Sequence, residues 1–181
     1  MAEKVLLKEN LKFLPSLNLL PEVAFGYWLS GFVDGEGCFQ SQLNLFGGKR
    51  NRPAIQPRFS ISLRIDDGRV LDEIKSFLER TYELNCNINT TYGQGKYAPM
   101  ARLRVSGWKN CYRLLPQFER FPLKAKKAFD YEIWKELILL AHGQKERSRR
   151  ENRRFEDMLK LHFCLGAVKL YGNKKEVGQD G

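Results

Sequence analysis

An α+β domain with helices packed on one face of an antiparallel sheet is the fold class this sequence predicts, and three observations predict it. Apolar residues recur at helical spacing in some stretches and alternate strictly in others. The alternating stretches come in pairs joined by short turns, with no helix inside a pair, so each pair is antiparallel. The side of those stretches opposite the apolar residues is rich in amides, hydroxyls and guanidinium groups and poor in carboxylates. The expected order is αββαββα followed by further helix.

Residues 1–21 read as an N-terminal arm closing at Pro21, residues 22–171 as one domain and residues 172–181 as a polar tail with frayed ends. From Glu22 to Asp34, Phe25, Leu29, Phe32 and Val33 fall at helical spacing, and the glycines at 35 and 37 supply a stop. The period then changes. Phe39, Ser41, Leu43 and Leu45 alternate with Cys38, Gln40, Gln42 and Asn44, as in a half-buried strand. A basic turn with Lys49, Arg50 and Arg52 leads to a second strand. There Ile55, Pro57, Phe59, Ile61 and Leu63 oppose Gln56, Arg58, Ser60, Ser62 and Arg64, and Pro57 marks an irregularity or an edge.

Val70, Leu71, Ile74, Phe77 and Leu78 define the next helix. Two shorter strands follow at about residues 86–92 and 98–106. The first carries Asn87, Asn89 and Thr91; in the second, Ala101, Leu103 and Val105 oppose Arg102 and Arg104. Residues 108–118 predict a short helix stopped around Pro116. A strong helix is expected over residues 122–143, with Phe129, Ile133, Leu137 and Ala141 along one face, and a last amphipathic helix over residues 155–171.

The chain has 181 residues, 31 Lys and Arg against 21 Asp and Glu, and a net charge of +10. One domain of this size buries a core without disulfides. The positive balance favours a polyanionic partner, nucleic acid first and an anionic membrane surface second. A membrane surface fits poorly, because the basic residues lie on strands and turns and not along one amphipathic helix. Cys38, Cys86, Cys111 and Cys164 show no metal-ligand spacing, which argues against zinc and for reduced thiols in an intracellular compartment. No secretory signal or membrane span is expected. An organelle (mitochondrion or chloroplast) and a prokaryotic cytoplasm fit equally.

Gln and Asn offer a donor and an acceptor together, which matches the adenine edge in the major groove, and Arg forks onto guanine. A strand ribbon fits that groove, so every second side chain meets base edges or phosphates. The expected contact set is Gln40, Gln42, Asn44, Gln56, Arg58, Ser60, Ser62, Arg64, Asn87, Asn89, Thr91, Arg102 and Arg104, with Lys49, Arg50 and Arg52 on backbone phosphate. A solvated sheet face is the alternative, but such faces usually mix charge signs. The run Lys145, Arg147, Arg149, Arg150, Arg153 and Arg154 is interleaved with Glu146 and Glu151 and reads first as a solvated helix face.

One stretch sharpens the reading. "LSGFVDGEG", residues 29–37, runs apolar and small residues straight into Asp34 and Glu36. It resembles the LAGLIDADG motif of homing endonucleases, and its place between a helix and an alternating strand agrees. "FSISLRIDDGRVLDEIKSFL" and "FPLKAKKAFDYEIW" resemble later segments of the same family, so the resemblance covers roughly residues 22–142. The fold it implies is a curved antiparallel β-sheet that saddles double-stranded DNA. The activity it implies is site-specific cleavage of a long, near-palindromic site by an intron-encoded enzyme.

Gly31 and Gly35, four residues apart, leave one helix face bare so that another helix can approach. By resemblance, two such helices pair on a twofold or pseudo-twofold axis. With one visible copy of the motif, this implies a homodimer through Leu29, Ser30, Gly31, Phe32 and Gly35. The resemblance makes Glu36 and the Gly35 carbonyl ligands of Mg²⁺, with Mn²⁺ as a substitute, and Lys126 the catalytic-pocket lysine, with Lys124 as the alternative. Asp34 is expected to help end the helix as a cap, bonding backbone N–H groups. Two departures stand out. The last acid is Glu in place of Asp, and Leu63 falls where some relatives carry a water-organising Gln, leaving Arg64 or Asp66 to substitute. They keep open a second reading, a non-cleaving DNA-binding regulator or a maturase that binds intron RNA.

Overall fold

The computed structural model describes residues 21–47, 52–91, 98–142 and 149–172, with side chains for 21–45, 53–91, 98–142 and 155–166. The expected N-terminal arm, the turn residues Lys49 and Arg50, the side chain of Arg52 and the basic side chains of residues 145–154 lie outside these ranges. The elements are α1 (Pro21–Glu36), β1 (Gly37–Gly47), β2 (Arg52–Arg64), a 3-10 turn (Ile65–Asp67), α2 (Gly68–Tyr82), β3 (Cys86–Thr91), β4 (Met100–Ser106), α3 (Trp108–Arg120), α4 (Lys127–His142) and α5 (Arg149–Gly172). The αββαββα order is therefore as expected.

The four strands form one antiparallel sheet in the order β1-β2-β4-β3. Its register turns the alternation of the sequence into two opposite faces. One rung runs Phe39, Phe59, Val105, Cys86, and all four are buried; the next runs Cys38, Ser60, Arg104, Asn87. At Pro57, β2 is laddered to β1 through Ser41; on its other side, one residue outside the β4 ladder that ends at Arg58 and Ser106, the Pro57 carbonyl accepts from the Gly107 N–H at 3.4 Å. A missing N–H is tolerated where a ladder ends. The register shift falls elsewhere, between Asn44 and Gly47.

The core is centred on Phe39, whose ring lies 5.2–5.5 Å from the rings of Phe59, Phe118, Tyr131 and Trp134. Truncating a hub of this kind to alanine costs about 3–5 kcal/mol. Trp134 also donates Nε1–H to the Gln40 carbonyl at 3.1 Å, which ties α4 to β1. Farther along β1, Ser41 Oγ meets His162 Nδ1 at 2.7 Å and ties down α5. Gln117, fully buried, satisfies both ends of its amide: Nε2 donates to the Gly26 carbonyl and to Ser30 Oγ, and Oε1 accepts from the Tyr82 hydroxyl. A buried amide is stable only when paired in this way.

Three helix expectations need correction. Pro116 does not stop α3, which continues to Arg120, because Pro116 lies on the exposed side while Cys111, Leu114, Leu115 and Phe118 hold the other side in the core. The carbonyl it leaves free is that of Tyr112, itself an exposed residue. Helix α4 begins at Lys127, and residues 122–126 are an ordered approach to it. Its core face is Tyr131, Trp134, Leu137 and Ile138, while Phe129, expected on that face, is 62 % exposed.

Candidate nucleic-acid interface and catalytic site

The outward face of the sheet carries the side chains the alternation assigned to it. Gln40 stands opposite Arg58, Gln42 opposite Gln56, and Arg102 lies between Ser62 on β2 and Asn89 on β3. Asn44 and Thr91 mark the row ends on β1 and β3, and Arg64 faces Met100 across the β2–β4 ladder. The four strands contain no Asp or Glu, against five Arg counted over β2 and β4. Arg102 donates Nε–H to Ser62 Oγ at 2.8 Å, and Gln40 Nε2 donates to Cys38 Sγ at 3.1 Å. Arg58 keeps an enclosed Nε–H without a partner. Ser60 is buried on this face and, among the described residues, is the one expected contact residue with little surface to offer. Arg64 pairs with Asp66 at 3.2 Å, so the two groups expected to stand in for a water-organising amide neutralise each other, while Leu63 packs partly buried against the core.

At the edge of that face α1 ends and β1 begins. The turn between them depends on Gly37: a Cβ there would lie 2.5 Å from Val33 Cγ1 and 2.7 Å from the Val33 carbonyl oxygen. Glu36 and Gly35 are exposed at the carboxyl end of the helix. Carbonyl groups in that last turn lack intrahelical partners, and the helix dipole there is negative. Asp34 and Glu36 thus add negative charge where a helix already has it, with no basic residue in the last turn. For Asp34 the compensation is visible. Its carboxylate accepts hydrogen bonds from the backbone N–H groups of Lys124 at 2.8 Å and Ala125 at 3.2 Å. Asp34 therefore bonds backbone N–H groups, but those of the approach to α4 and not of its own helix. Glu36 has no protein partner among the described residues.

Lys124 and Lys126, both exposed, lie on the segment Asp34 holds. The fold thereby brings the motif's acids and the lysines of a segment some 90 positions later to one place. Leu29 and Ser30, expected at a subunit contact, face the chain's own interior instead. Leu29 is 1 % exposed inside the chain's own core, and Ser30 Oγ donates to the Phe121 carbonyl at 2.6 Å. The outward stripe of α1 is instead Ala24, Tyr27, Trp28, Gly31 and Gly35, with Phe32 half-buried at its border. Tyr27 is 55 % and Trp28 44 % exposed, and a Cβ on Gly31 or Gly35 would meet nothing within 4 Å. Spacing alone pointed to this stripe through the glycines; what it could not give was which apolar neighbours go with them.

The LAGLIDADG endonuclease family matches residues 29–138, from the motif through most of α4. The chain belongs to that family. A probable intron-encoded endonuclease, Cox1-I1b of Schizosaccharomyces pombe, is 25 % identical over 136 residues, 75 % of this chain and 32 % of that protein. An uncharacterised 50.9 kDa protein in ND4 intron 1 of Podospora anserina is 29 % identical over 118 residues, 63 % of this chain and 24 % of that protein. The chain thus spans about a third or less of the length of these relatives. Among solved structures, the LAGLIDADG homing endonuclease I-GzeII in complex with its DNA target superposes with a TM-score of 0.63 at 23 % identity, covering 76 % of this chain and 43 % of that one. The homing endonuclease I-TnaI gives 0.63 at 19 % identity, covering 80 % of this chain and 92 % of that one. At these identities the LAGLIDADG structures establish the shared fold.

Proposed function

We propose that this LAGLIDADG chain is a site-specific, intron-encoded homing endonuclease that cuts both strands of a long, near-palindromic duplex site by metal-assisted phosphodiester hydrolysis. One observation carries the reading: a free carboxylate, Glu36, at the negative end of a helix, at the border of a sheet face with arginines and no acids. The outward residues of β1, β2, β3 and β4 lie along the duplex grooves, where Gln40, Gln42, Gln56, Arg58, Arg102 and Arg104 contact base edges and phosphates.

Hard oxygen donors suit Mg²⁺, and Glu36 with the Gly35 carbonyl would hold it. No group of three or more acids, His or Cys able to hold a metal exists among the described residues, so one chain supplies only part of a ligand set. A divalent ion bound there would supply charge neutralisation at the phosphate and a more acidic water. The chain's own part is to fix Glu36 through the Gly37 turn, to hold the Lys124–Lys126 segment through Asp34, and to place Lys126 as a cation beside the reacting phosphate, with Lys124 the adjacent alternative.

Pairing through α1 completes the site. The stripe of Ala24, Tyr27, Trp28, Gly31 and Gly35 is apolar and open, and we assign it to the α1 of a second copy, giving a homodimer with one Glu36 from each protomer. I-TnaI, of which this fold covers 92 %, is comparable in length. The 43 % coverage of I-GzeII favours a second reading, in which the mate of α1 is a second motif unit within a longer chain.

Selection of cut sites from a randomised duplex library in Mg²⁺ tests the activity. Wild type is expected to yield one shared near-palindrome, with Glu36→Gln binding the same site uncut. Identical cutting by both proteins overturns the assignment of Glu36. Specific binding without nicking by wild type transfers the protein to a non-cleaving, nucleic-acid-binding role. Sedimentation near 21 kDa at micromolar concentration with cleavage intact would remove the homodimer.

A further inference from the structure

A cavity of about 490 Å³ opens between the start of α3 and the end of α4, away from the features used above. It is lined by Trp108, Lys109, Tyr112, Arg113, Ile138, Ala141 and His142. On α3, Trp108 and Tyr112 are one turn apart, as are Lys109 and Arg113, so a row of rings runs beside a row of cations. Tyr112 and His142 stack with centroids 3.8 Å apart and planes 5° from parallel. Tyr112 is 38 % exposed, so this stacked pair presents itself to solvent. Ile138 and Ala141 give the cavity an apolar side, and among the described residues no carboxylate lines it.

The two cations differ. Arg113 is held in place by Glu83, donating to its backbone carbonyl and pairing with its carboxylate at 3.6 Å. Lys109 is exposed and makes no ion pair among the described residues. The chemistry is therefore a flat aromatic platform, an apolar side and, at the rim, a cation that no described carboxylate pairs. That combination recognises an unpaired base together with its adjoining phosphate, and ordinary duplex, whose bases are stacked inside, cannot offer it.

We propose that this cavity binds a single unpaired nucleobase of a single-stranded nucleic acid, stacked on the Tyr112–His142 pair beside Trp108, with its phosphate at Lys109. The site is separate from the proposed cleavage centre. Helix α4 runs from Lys127, next to the segment Asp34 holds, to His142 at the cavity, about 22 Å at 1.5 Å per residue. A strand bound here leaves the outward sheet face open to duplex.

The test uses the full chain and fluorescein-labelled eight-nucleotide homopolymers of RNA and of DNA, read by anisotropy, with quenching of tryptophan emission as a second signal. Wild type is expected to bind at least one of the two, the stronger arm identifying the sugar preferred. Tyr112→Ala should weaken that binding about 5- to 150-fold, the loss of one stacking ring, while Tyr112→Phe keeps it within about 3-fold. Lys109→Gln should lower the salt slope by about 0.7. Retention of duplex binding by Tyr112→Ala separates the two surfaces and shows that the variant is folded. Three results each overturn the proposal: no single-strand binding at micromolar protein, equal binding by wild type and Tyr112→Ala, or displacement of the strand by unlabelled duplex at stoichiometric concentration.

Discussion

Gly37 has no room for a methyl group. With Val33 Cγ1 and the Val33 carbonyl oxygen both inside 3 Å of the position a Cβ would take, the methyl of Gly37→Ala must push the start of β1 away from the last turn of α1. It is expected to cost about 1–3 kcal/mol in urea unfolding and to displace Glu36, its immediate neighbour. Asp34 makes a different kind of contribution. Asp34→Ala removes both acceptors from the Lys124 and Ala125 N–H groups, and a loss of about 1–3 kcal/mol is expected, measured as a shift in the urea midpoint. Cleavage should fall further than stability accounts for, because the lysine segment loses its tether; equal binding and cutting by Asp34→Ala and wild type would refute this. The motif made Asp34 and Glu36 legible as a pair in the sequence. Their division of labour was not, since the partner of Asp34 lies in a segment whose proximity only the folded chain creates.

Among the elements, the strands were the most legible and α1 the least. A strand with one wet face writes its orientation into every second residue, which is why Gln40, Arg58 and Arg104 could be placed on one surface beforehand. Helix α1 is apolar on both sides: Leu29 and Val33 enter the core, while Tyr27 and Trp28 face out. Periodicity marks a boundary between apolar and polar, and where none exists it cannot assign sides. The exposed stripe leads to a sharp expectation. Gly31→Glu meets no atom within 4 Å in the chain itself, so the thermal midpoint should move by no more than a few degrees. The protein should nevertheless sediment as a monomer and lose cutting. A dimer that persists in Gly31→Glu would exclude α1 as the interface. For the sheet, Arg104→Ala should reduce the salt slope of duplex binding by about 0.9 if Arg104 contacts a phosphate, and relax base preference instead if it contacts guanine.

At the scale of the whole molecule, buried titrating groups set the pH range of stability. Burial pushes the Cys111 thiol up to about 12, and burial with the nearby Glu79 carboxylate does the same to Cys86, against an ordinary value of 9.0. Between pH 9 and 12 the unfolded chain sheds these protons and the folded chain holds them, so stability falls as pH rises through that window. Tyr82 and Tyr131, raised mainly by burial, act in the same direction. On the acid side burial lowers the value of His162, so below about pH 6.5 the unfolded state gains a proton that the folded state resists, and stability falls again. Urea midpoints are expected to be highest between pH 7 and 8 and lower at pH 10 and pH 5; a midpoint that rises from pH 8 to pH 10 would contradict the burial of both thiols.

The bonds from Asp34 to Lys124 and Ala125 also impose an order of events. They close a loop of about 90 residues that contains the entire sheet, and closing it is entropically expensive until the intervening strands have paired. A ribosome-bound chain that has emerged only as far as β4 already carries the acids of the motif and the arginines of the sheet, but not the lysine segment. Assembly of the acid–lysine neighbourhood is therefore among the last steps of folding. A chain built in that sequence acquires its basic sheet face before the acid–lysine neighbourhood at its edge.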